Sequence, residues 1–243
     1  MGKTDPYIKI SKVYRQTLTK KMLLVPGIVR ALRKNFVKGE RLLDVGSGIG
    51  DFYEIATKMG YKYSGLDRSE SMISRAKASH PLGKFDLLPA TNFTDKYKTK
   101  FSVILLNLIL QDNPLKDEKK IISEVSKCLG RSGVAIVGIH HPHLDHYMRF
   151  GLLNNSNIKT NFKDYFMSDG KYFLKYFYEE GSADFTDYHI TLQDYSEMFT
   201  NSGFEIIAID ECPPDKKLEK LSKKKFEEKK LYPTYMVFTL RKK

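Results

Sequence analysis

The chain has 243 residues, 41 lysines and arginines against 29 aspartates and glutamates, a formal net charge of +12 and a hydrophobic fraction of 41%. That supports one compact α/β domain with an insertion and a full core, and excludes general disorder. Two cysteines, Cys128 and Cys212, fit neither a zinc nor a disulfide spacing and read as buried thiols in a reducing compartment. No apolar run is long enough to span a membrane, the start has no signal-peptide core, and Pro6 stands where a myristoylation motif wants Ser or Thr. A cytoplasmic protein without membrane association is expected.

In chain order, residues 5–38 predict one or two helices, the second near Pro26–Asn35 with proline at its start. A first strand, Arg41–Val45, runs into Gly46, Gly48 and Gly50, and a helix follows from Asp51 to Met59, ended by Gly60 in left-handed geometry. A second strand, Lys62–Leu66, ends on Asp67. Ser69 caps a helix carrying Met72 and Ile73, which stops before His80-Pro81. A third strand is expected at Lys84–Leu88 and a fourth at the apolar run Phe101–Leu110. A helix over Lys116–Leu129 leads through a turn bracketed by Gly130 and Gly133 into a fifth strand, Val134–Ile139.

After His140 the alternation breaks. Residues 141–190, rich in Tyr, Phe and Asn, predict a substrate cap whose aromatics include Tyr165, Phe166, Tyr172, Phe173, Tyr176 and Tyr188. A helix returns at Leu192–Asn201, followed by strands Phe204–Ile209 and Tyr235–Arg241, paired antiparallel. Between them, residues 213–234 form a lysine-rich helical insertion. Residues 216–243 hold eleven lysines and arginines against three glutamates, so two thirds of the net charge sits there. A nucleic-acid-binding domain would spread its basic residues over a face with exposed aromatics. Here the pattern over 216–230 is a solvated helix with a thin apolar stripe of Leu218, Leu221 and Phe226; a docking surface for acidic partners is the alternative. The expected fold is a single domain over 1–243: N-terminal helices over 1–38 and a doubly wound, seven-stranded, mostly parallel sheet with an antiparallel last strand, plus the cap and the insertion.

The stretch LLDVGSGIGDF, with Asp67 about twenty residues on, is how a strand–turn–helix–strand unit looks when it holds a nucleoside-like cofactor. The glycines fall at 46, 48 and 50, which is G-x-G-x-G rather than the G-x-G-x-x-G of a dinucleotide site. Asp44, awkward beside a pyrophosphate, suits a ligand with a positive amino group. A glycine-rich turn in a ligand-free α/β protein is the plain alternative.

LLDVGSGIGDF and GLDRSESMISRAK resemble the first two motifs of class I S-adenosylmethionine-dependent methyltransferases. KKMLLVPGIVRALRKN, FSVILLNLILQDNP, ISEVSKCLGRSGVAIVGIHHP and YHITLQDYSEMFTNSGFEII resemble the entry helix, fourth motif, post-motif segment and late "HRTL…DY…AGF" segment of a bacterial small-molecule subgroup, over roughly residues 7–212. The resemblance implies S-adenosylmethionine as cofactor, S-adenosylhomocysteine as product, and a small-molecule acceptor methylated on O or N. It implies a cofactor site of Tyr14, Asp44, Gly46, Ser47, Gly48, Gly50, Asp67, Arg68, Met72, Ala90, Thr91 and Asn107. Asp67 would hold the ribose, or alternatively stabilise the next helix's N-terminus. Asp44 would hold the amino group or brace the turn, and Tyr14 would close over the methionine end or sit in the core. The sequence departs from the family at Pro89-Ala90-Thr91-Asn92, which lacks the usual acid, and at Ile190, where arginine is common.

His189 and His141 are the candidate catalytic residues, as proton acceptor and acceptor-pocket residue, each with a structural alternative. The run HHPHLDH suggests a metal, but Pro142 breaks the helix that would align two histidines, and no metal is expected. A macromolecular acceptor docked on the basic segment, or a non-catalytic cofactor-binding relative, are the rival readings.

Overall fold

The computed structural model describes residue 7 and residues 17–98, 100–147, 158–178 and 181–243; for Leu144, Asp145, Tyr147, Tyr176 and Tyr178 it describes the backbone alone. A π-helical turn, Lys20–Leu24, leads without a break into α1 (Val25–Lys34). The order then runs β1 (Arg41–Val45), α2 (Tyr53–Met59), β2 (Lys62–Asp67), α3 (Glu70–Ser79), β3 (Lys84–Leu87) and β4 (Phe101–Asn107). After a 3₁₀ turn, Leu110–Asp112, come α4 (Leu115–Cys128), β5 (Leu129–His140) and α5 (Pro142–Tyr147). The remaining elements are β6 (Ile158–Thr160), β7 (Gly170–Tyr178), β8 (Gly181–His189), α6 (Leu192–Asn201), β9 (Phe204–Asp210), α7 (Lys216–Leu221), α8 (Lys223–Leu231) and β10 (Tyr235–Lys242).

The large sheet has the order β3-β2-β1-β4-β5-β10-β9, parallel except where β10 runs against both β5 and β9. This is the doubly wound sheet that the sequence predicts. Both faces of its central strands are buried, as a parallel sheet requires. Leu43, Val45, Ile104 and Leu106 join the core containing Ile121, Val125 and Phe199 of α4 and α6. The alternate residues Leu42, Val103 and Leu105 join the core containing Ile28, Leu32, Ala56 and Ile73 of α1, α2 and α3. The strand order reverses between β1 and β4, and the glycine turn leaves the carboxyl end of β1 at that point. An open α/β sheet places its ligand in such a crevice.

Several expected boundaries move. β4 stops at Asn107, not Leu110, because Leu108 takes a left-handed φ of 57° and turns the chain into the 3₁₀ segment although the apolar run continues. β5 starts at Leu129, five residues early: the segment expected to turn stays in the ladder, with Phe101 opposite Leu129, and a register shift absorbs the glycines. The lysine-rich stretch is two helices broken at Ser222, whose hydroxyl caps the second by accepting from the Lys225 N–H. Of its apolar stripe, Leu218 is buried and Leu221 is exposed. The strands β6, β7 and β8 form a second, antiparallel sheet. In it Tyr172 is buried but Phe173 is exposed, and Phe166 in the preceding loop is 80% exposed, so neither phenylalanine shapes a pocket in this structure. No helix among the described residues is long and apolar enough to cross a membrane.

Candidate active site

The turn Gly46–Gly50 is shaped by backbone constraints. Gly46, Gly48 and Gly50 have φ of 74°, 54° and 83°, which residues with a Cβ adopt only with strain. The N–H groups of Gly46 and Ser47 both donate to the Leu66 carbonyl at 2.8 and 2.9 Å, tying the turn to β2. A Cβ on Gly46 would lie 2.6 Å from Ile109 Cδ1, so the segment after β4 packs directly on the turn. Around Gly48 a Cβ would meet nothing within 4 Å, leaving that part of the turn open.

Asp67 performs two local tasks. Its Oδ2 accepts from the Gly48 N–H at 2.9 Å and its Oδ1 from the Ser69 N–H at 2.9 Å, just ahead of α3. The Ser69 hydroxyl, expected to cap that helix, instead pairs with Ser71. The Asp67 carboxylate thus fixes turn and helix together. Arg68 beside it is exposed.

Asp44 lies on β1 opposite Gly65 and Leu105, 1% exposed. Its Oδ2 accepts from the Tyr63 hydroxyl at 2.7 Å, while Oδ1 is buried without a hydrogen-bond partner. It bonds to no backbone N–H of the turn. Burial pushes its pKa to about 7, against the Tyr63 hydrogen bond and the positive charge of Lys20, which lower it. Lys20, from the π-helical turn, is 8% exposed.

Asn107 ends β4 with a buried Oδ1 that also lacks a hydrogen-bond partner. Met72 is buried, and Ala90 and Thr91 are half-buried after β3. Tyr14 lies outside the described residues, as does the side chain of Asp145.

The histidines separate. His141 follows β5: its N–H donates to the Thr234 carbonyl, its Nε2 is 3.4 Å from Glu211 Oε1, and its Nδ1 is buried without a hydrogen-bond partner. Burial lowers its pKa below the usual 6.5, so the ring is neutral at pH 7. With Nε2–H directed at Glu211, Nδ1 keeps its lone pair. His189, at the end of β8, is 2% exposed and stacks on Phe162 at a centroid distance of 5.2 Å. Its Nε2 lies 2.7 Å from the Tyr165 carbonyl, which only an N–H can satisfy, so that nitrogen is not available to accept a proton. His146 lies in the same aromatic cluster, while His143 packs on Tyr165. Among the described residues no three metal-ligating side chains converge.

The sequence reading missed Lys20, Tyr63 and Asp112. The Tyr7 hydroxyl donates to Asp112 Oδ2 at 2.8 Å while the Tyr7 ring packs edge-on against Phe185 of β8. These contacts span up to 178 positions, and no local pattern announces them.

The residues present fit a cofactor with a ribose and an amino-acid end: a turn with open space, an acid at the end of β2, and an unpaired buried carboxylate oxygen at β1. The profile of the methyltransferase domain family matches residues 36–229. The chain belongs to that family, and the fold and site place it among the class I S-adenosylmethionine-dependent methyltransferases. A solved S-adenosylmethionine-dependent methyltransferase from Mesorhizobium loti aligns at TM-score 0.65 and 20% identity, over 88% of this chain and 96% of that one. One from Clostridium acetobutylicum aligns at 0.65 and 18%, over 97% and 95%. The magnesium protoporphyrin IX methyltransferase of Synechocystis, solved with S-adenosylhomocysteine bound, aligns at 0.60 and 14%, over 98% and 94%. At these identities the likeness concerns the fold. No curated protein matches the sequence.

Proposed function

We propose that the enzyme transfers the methyl group of S-adenosylmethionine to an oxygen or nitrogen atom of a small-molecule acceptor. The observation that carries this reading is Asp44 Oδ1, a buried carboxylate oxygen without a hydrogen-bond partner at the mouth of the glycine turn. A buried polar atom without a partner costs about 1–3 kcal/mol, more when charged, so a cationic ligand amine there removes a penalty the free protein carries. Asp44 would hold the amino group and Lys20 would place a positive charge at the same end of the cofactor. Asp67 would take the ribose hydroxyls, with Arg68 at the rim. The turn Gly46, Ser47, Gly48 and Gly50 would let the ligand approach the backbone, and Met72, Ala90 and Thr91 would flank the base.

When bound, S-adenosylmethionine supplies a methyl group already activated by its sulfonium, so what the chain must add is alignment, exclusion of water and removal of a proton. Asn107, at the end of β4, is positioned to orient the acceptor with its unpaired Oδ1. β8 of the small sheet packs against the 3₁₀ turn that follows β4, which supports a covered site suited to a small molecule. Of the two candidate histidines, His141 is the better proton acceptor: it is neutral and its Nδ1 is unpaired, whereas the Nε2–H of His189 holds the cap loop at Tyr165.

Calorimetric titration with S-adenosylhomocysteine, repeated on Asp67→Ala and with NADH as a competitor class, tests the cofactor part. Micromolar binding weakened tenfold or more by the substitution and absent for NADH is expected. Binding of NADH alone would overturn it.

A further inference from the structure

We propose that the lysine-rich insertion, α7 and α8, docks the enzyme peripherally on an anionic lipid bilayer, at the same edge of the sheet as the glycine turn.

Topology sets the place. β10 runs against both β5 and β9, so β9 is parallel to β1, β4 and β5 and ends on the same edge as they do. The insertion therefore leaves the sheet after Asp210 and returns at Tyr235 on the carboxyl edge, where the glycine turn follows β1 and Asn107 ends β4. It is anchored to the fold. Leu218 is 1% exposed, in the core that holds Leu24, Ile28 and Tyr235, and Lys229 of α8 is buried. Asp215 Oδ1 accepts from the Lys217 and Leu218 N–H groups at 2.9 and 3.1 Å, which fixes the start of α7.

On this scaffold the exposed lysines Lys216, Lys217, Lys220, Lys223, Lys224 and Lys225 follow one another closely. None of their ammonium groups forms an ion pair or a hydrogen bond among the described residues; the ion pairs of α8 belong to Lys229 and Lys230. The acids beside them are Glu219, which is exposed, and Asp215, which is occupied as a cap. A solvated helix face gains from opposite charges four positions apart, whereas Lys216 and Lys220 stand at that spacing with like charge. A fixed, uncompensated cluster of this kind is complementary to a surface of many negative charges, and about four to eight lysines or arginines is the size of an anionic-lipid contact.

The apolar side chains of the segment choose between polyanions. Leu221 and Leu231, the last residues of α7 and α8, are 61% and 73% exposed. Leu231 stands about two helical turns from Lys224, so the two share one line along α8, on the side away from the buried Lys229. An interfacial helix uses such apolar side chains beside its lysines to enter the headgroup region. A single-stranded nucleic acid would instead stack its bases on exposed aromatics. Here Phe226 and Tyr232 are half-buried, and Lys230 Nζ lies 5.4 Å from the centre of the Phe226 ring. The contact is adsorption to a surface, since no described helix is long and apolar enough to cross a membrane.

The test is co-sedimentation of the whole chain with vesicles of phosphatidylcholine alone or with about 30% phosphatidylglycerol, at about 0.1 M NaCl. A single-stranded oligouridylate and inorganic phosphate are the competing probes. Binding to the anionic vesicles is expected to be about tenfold stronger or more, and to fall by a similar factor at about 0.5 M NaCl as screening shortens the reach of the lysines. The combined variant Lys220→Glu, Lys223→Glu, Lys224→Glu should lose about tenfold or more. Leu221→Ser with Leu231→Ser should lose about threefold on vesicles and leave oligouridylate binding unchanged. The control, Lys62→Glu, Lys77→Glu and Lys84→Glu, makes the same change in net charge with exposed lysines of β2, α3 and β3, and should stay within about twofold. All these side chains are exposed, the lysine and leucine variants are independent of each other, and the thermal midpoint shows that each is folded. Equal binding to both kinds of vesicle, or equal losses in the control and the insertion variant, overturns the proposal. Vesicle binding indifferent to both leucines, with oligouridylate bound more tightly than vesicles, overturns it in favour of a nucleic-acid contact. Release from vesicles by about 10 mM phosphate, at constant ionic strength, overturns it in favour of a site for the free ion.

Discussion

Asp44 shows how one buried side chain links binding to stability. Its pKa rises to about 7 on folding because burial disfavours the charged carboxylate more than Tyr63 and Lys20 favour it. An unfolded aspartate titrates near about 3.9, so between that value and about 7 the folded state holds a proton that the unfolded state has lost. Stability therefore falls as pH rises through this window and levels off above it. Asp44→Asn removes the charge but keeps the shape and a Tyr63 contact. We expect it to raise the stability of the ligand-free protein at pH 8 by about 1–3 kcal/mol in denaturant titration, since a buried charge without a full set of partners is replaced by a neutral group. The same change should weaken S-adenosylhomocysteine about tenfold, the worth of a hydrogen bond to a charged group. A variant that loses both stability and affinity would mean that Asp44 is structural.

At the scale of elements, the glycine turn and the segment after β4 are one unit, because Ile109 fills the space a Gly46 Cβ would need. Gly46→Ala combines left-handed strain with that clash, and should cost about 1–3 kcal/mol and reduce S-adenosylhomocysteine affinity. Gly39→Ala is the control: its φ is 80°, but a Cβ there meets nothing within 4 Å and the residue precedes β1, away from the turn. It should cost about 1 kcal/mol and leave affinity unchanged, which separates strain from loss of the site. Thr191→Ala tests a different joint. Its hydroxyl accepts from the Asp194 N–H while Asp194 accepts from the Thr191 N–H, a reciprocal cap on α6, so a loss of about 1–2 kcal/mol is expected in thermal or denaturant unfolding. Such local devices are what a sequence displays well. The glycine turn, the acid at the end of β2 and the span of α6 follow from spacing over a few residues. The misses have another origin. The apolar run past Asn107 looks like continuing strand, but the left-handed turn at Leu108, with Ile109 packed against Gly46, bends it away. Gly130 and Gly133 look like a turn, but pairing with β4 keeps them in the ladder. Lys20 lies in a basic run that resembles any solvated helix face, and its burial near Asp44 is set by the fold alone. Asp112 depends in the same way on Tyr7, a partner 105 positions away.

Across the whole molecule these carboxylates give the stability curve an unusual slope. Asp44 and Asp112 have pKa values near 7 and burial also raises Glu118, so each binds a proton in the folded state at a pH where the unfolded chain has released it. The opposite group is Asp210, which Arg30 grips at 2.7 and 2.9 Å, together with Asp194 and Glu124, all held below their ordinary values by hydrogen bonds. Their stabilisation is present above about pH 4 and lost as acid protonates the folded carboxylates. The two sets leave a maximum on the acid side of neutrality, with each raised group contributing up to about 1.4 kcal/mol per pH unit of decline between its unfolded and folded values. The thermal midpoint of the ligand-free protein should therefore be higher at pH 5.5 than at pH 8. Saturating S-adenosylhomocysteine should raise the midpoint more at pH 8 than at pH 5.5, because its amino group has a charged Asp44 to meet at the higher pH and a protonated one at the lower. Differential scanning calorimetry at the two pH values, with and without ligand and repeated on Asp44→Asn, measures all of this. If the ligand's stabilisation is independent of pH in the unsubstituted protein, the amino group does not sit on Asp44, and the polarity of the cofactor in the crevice must be reversed.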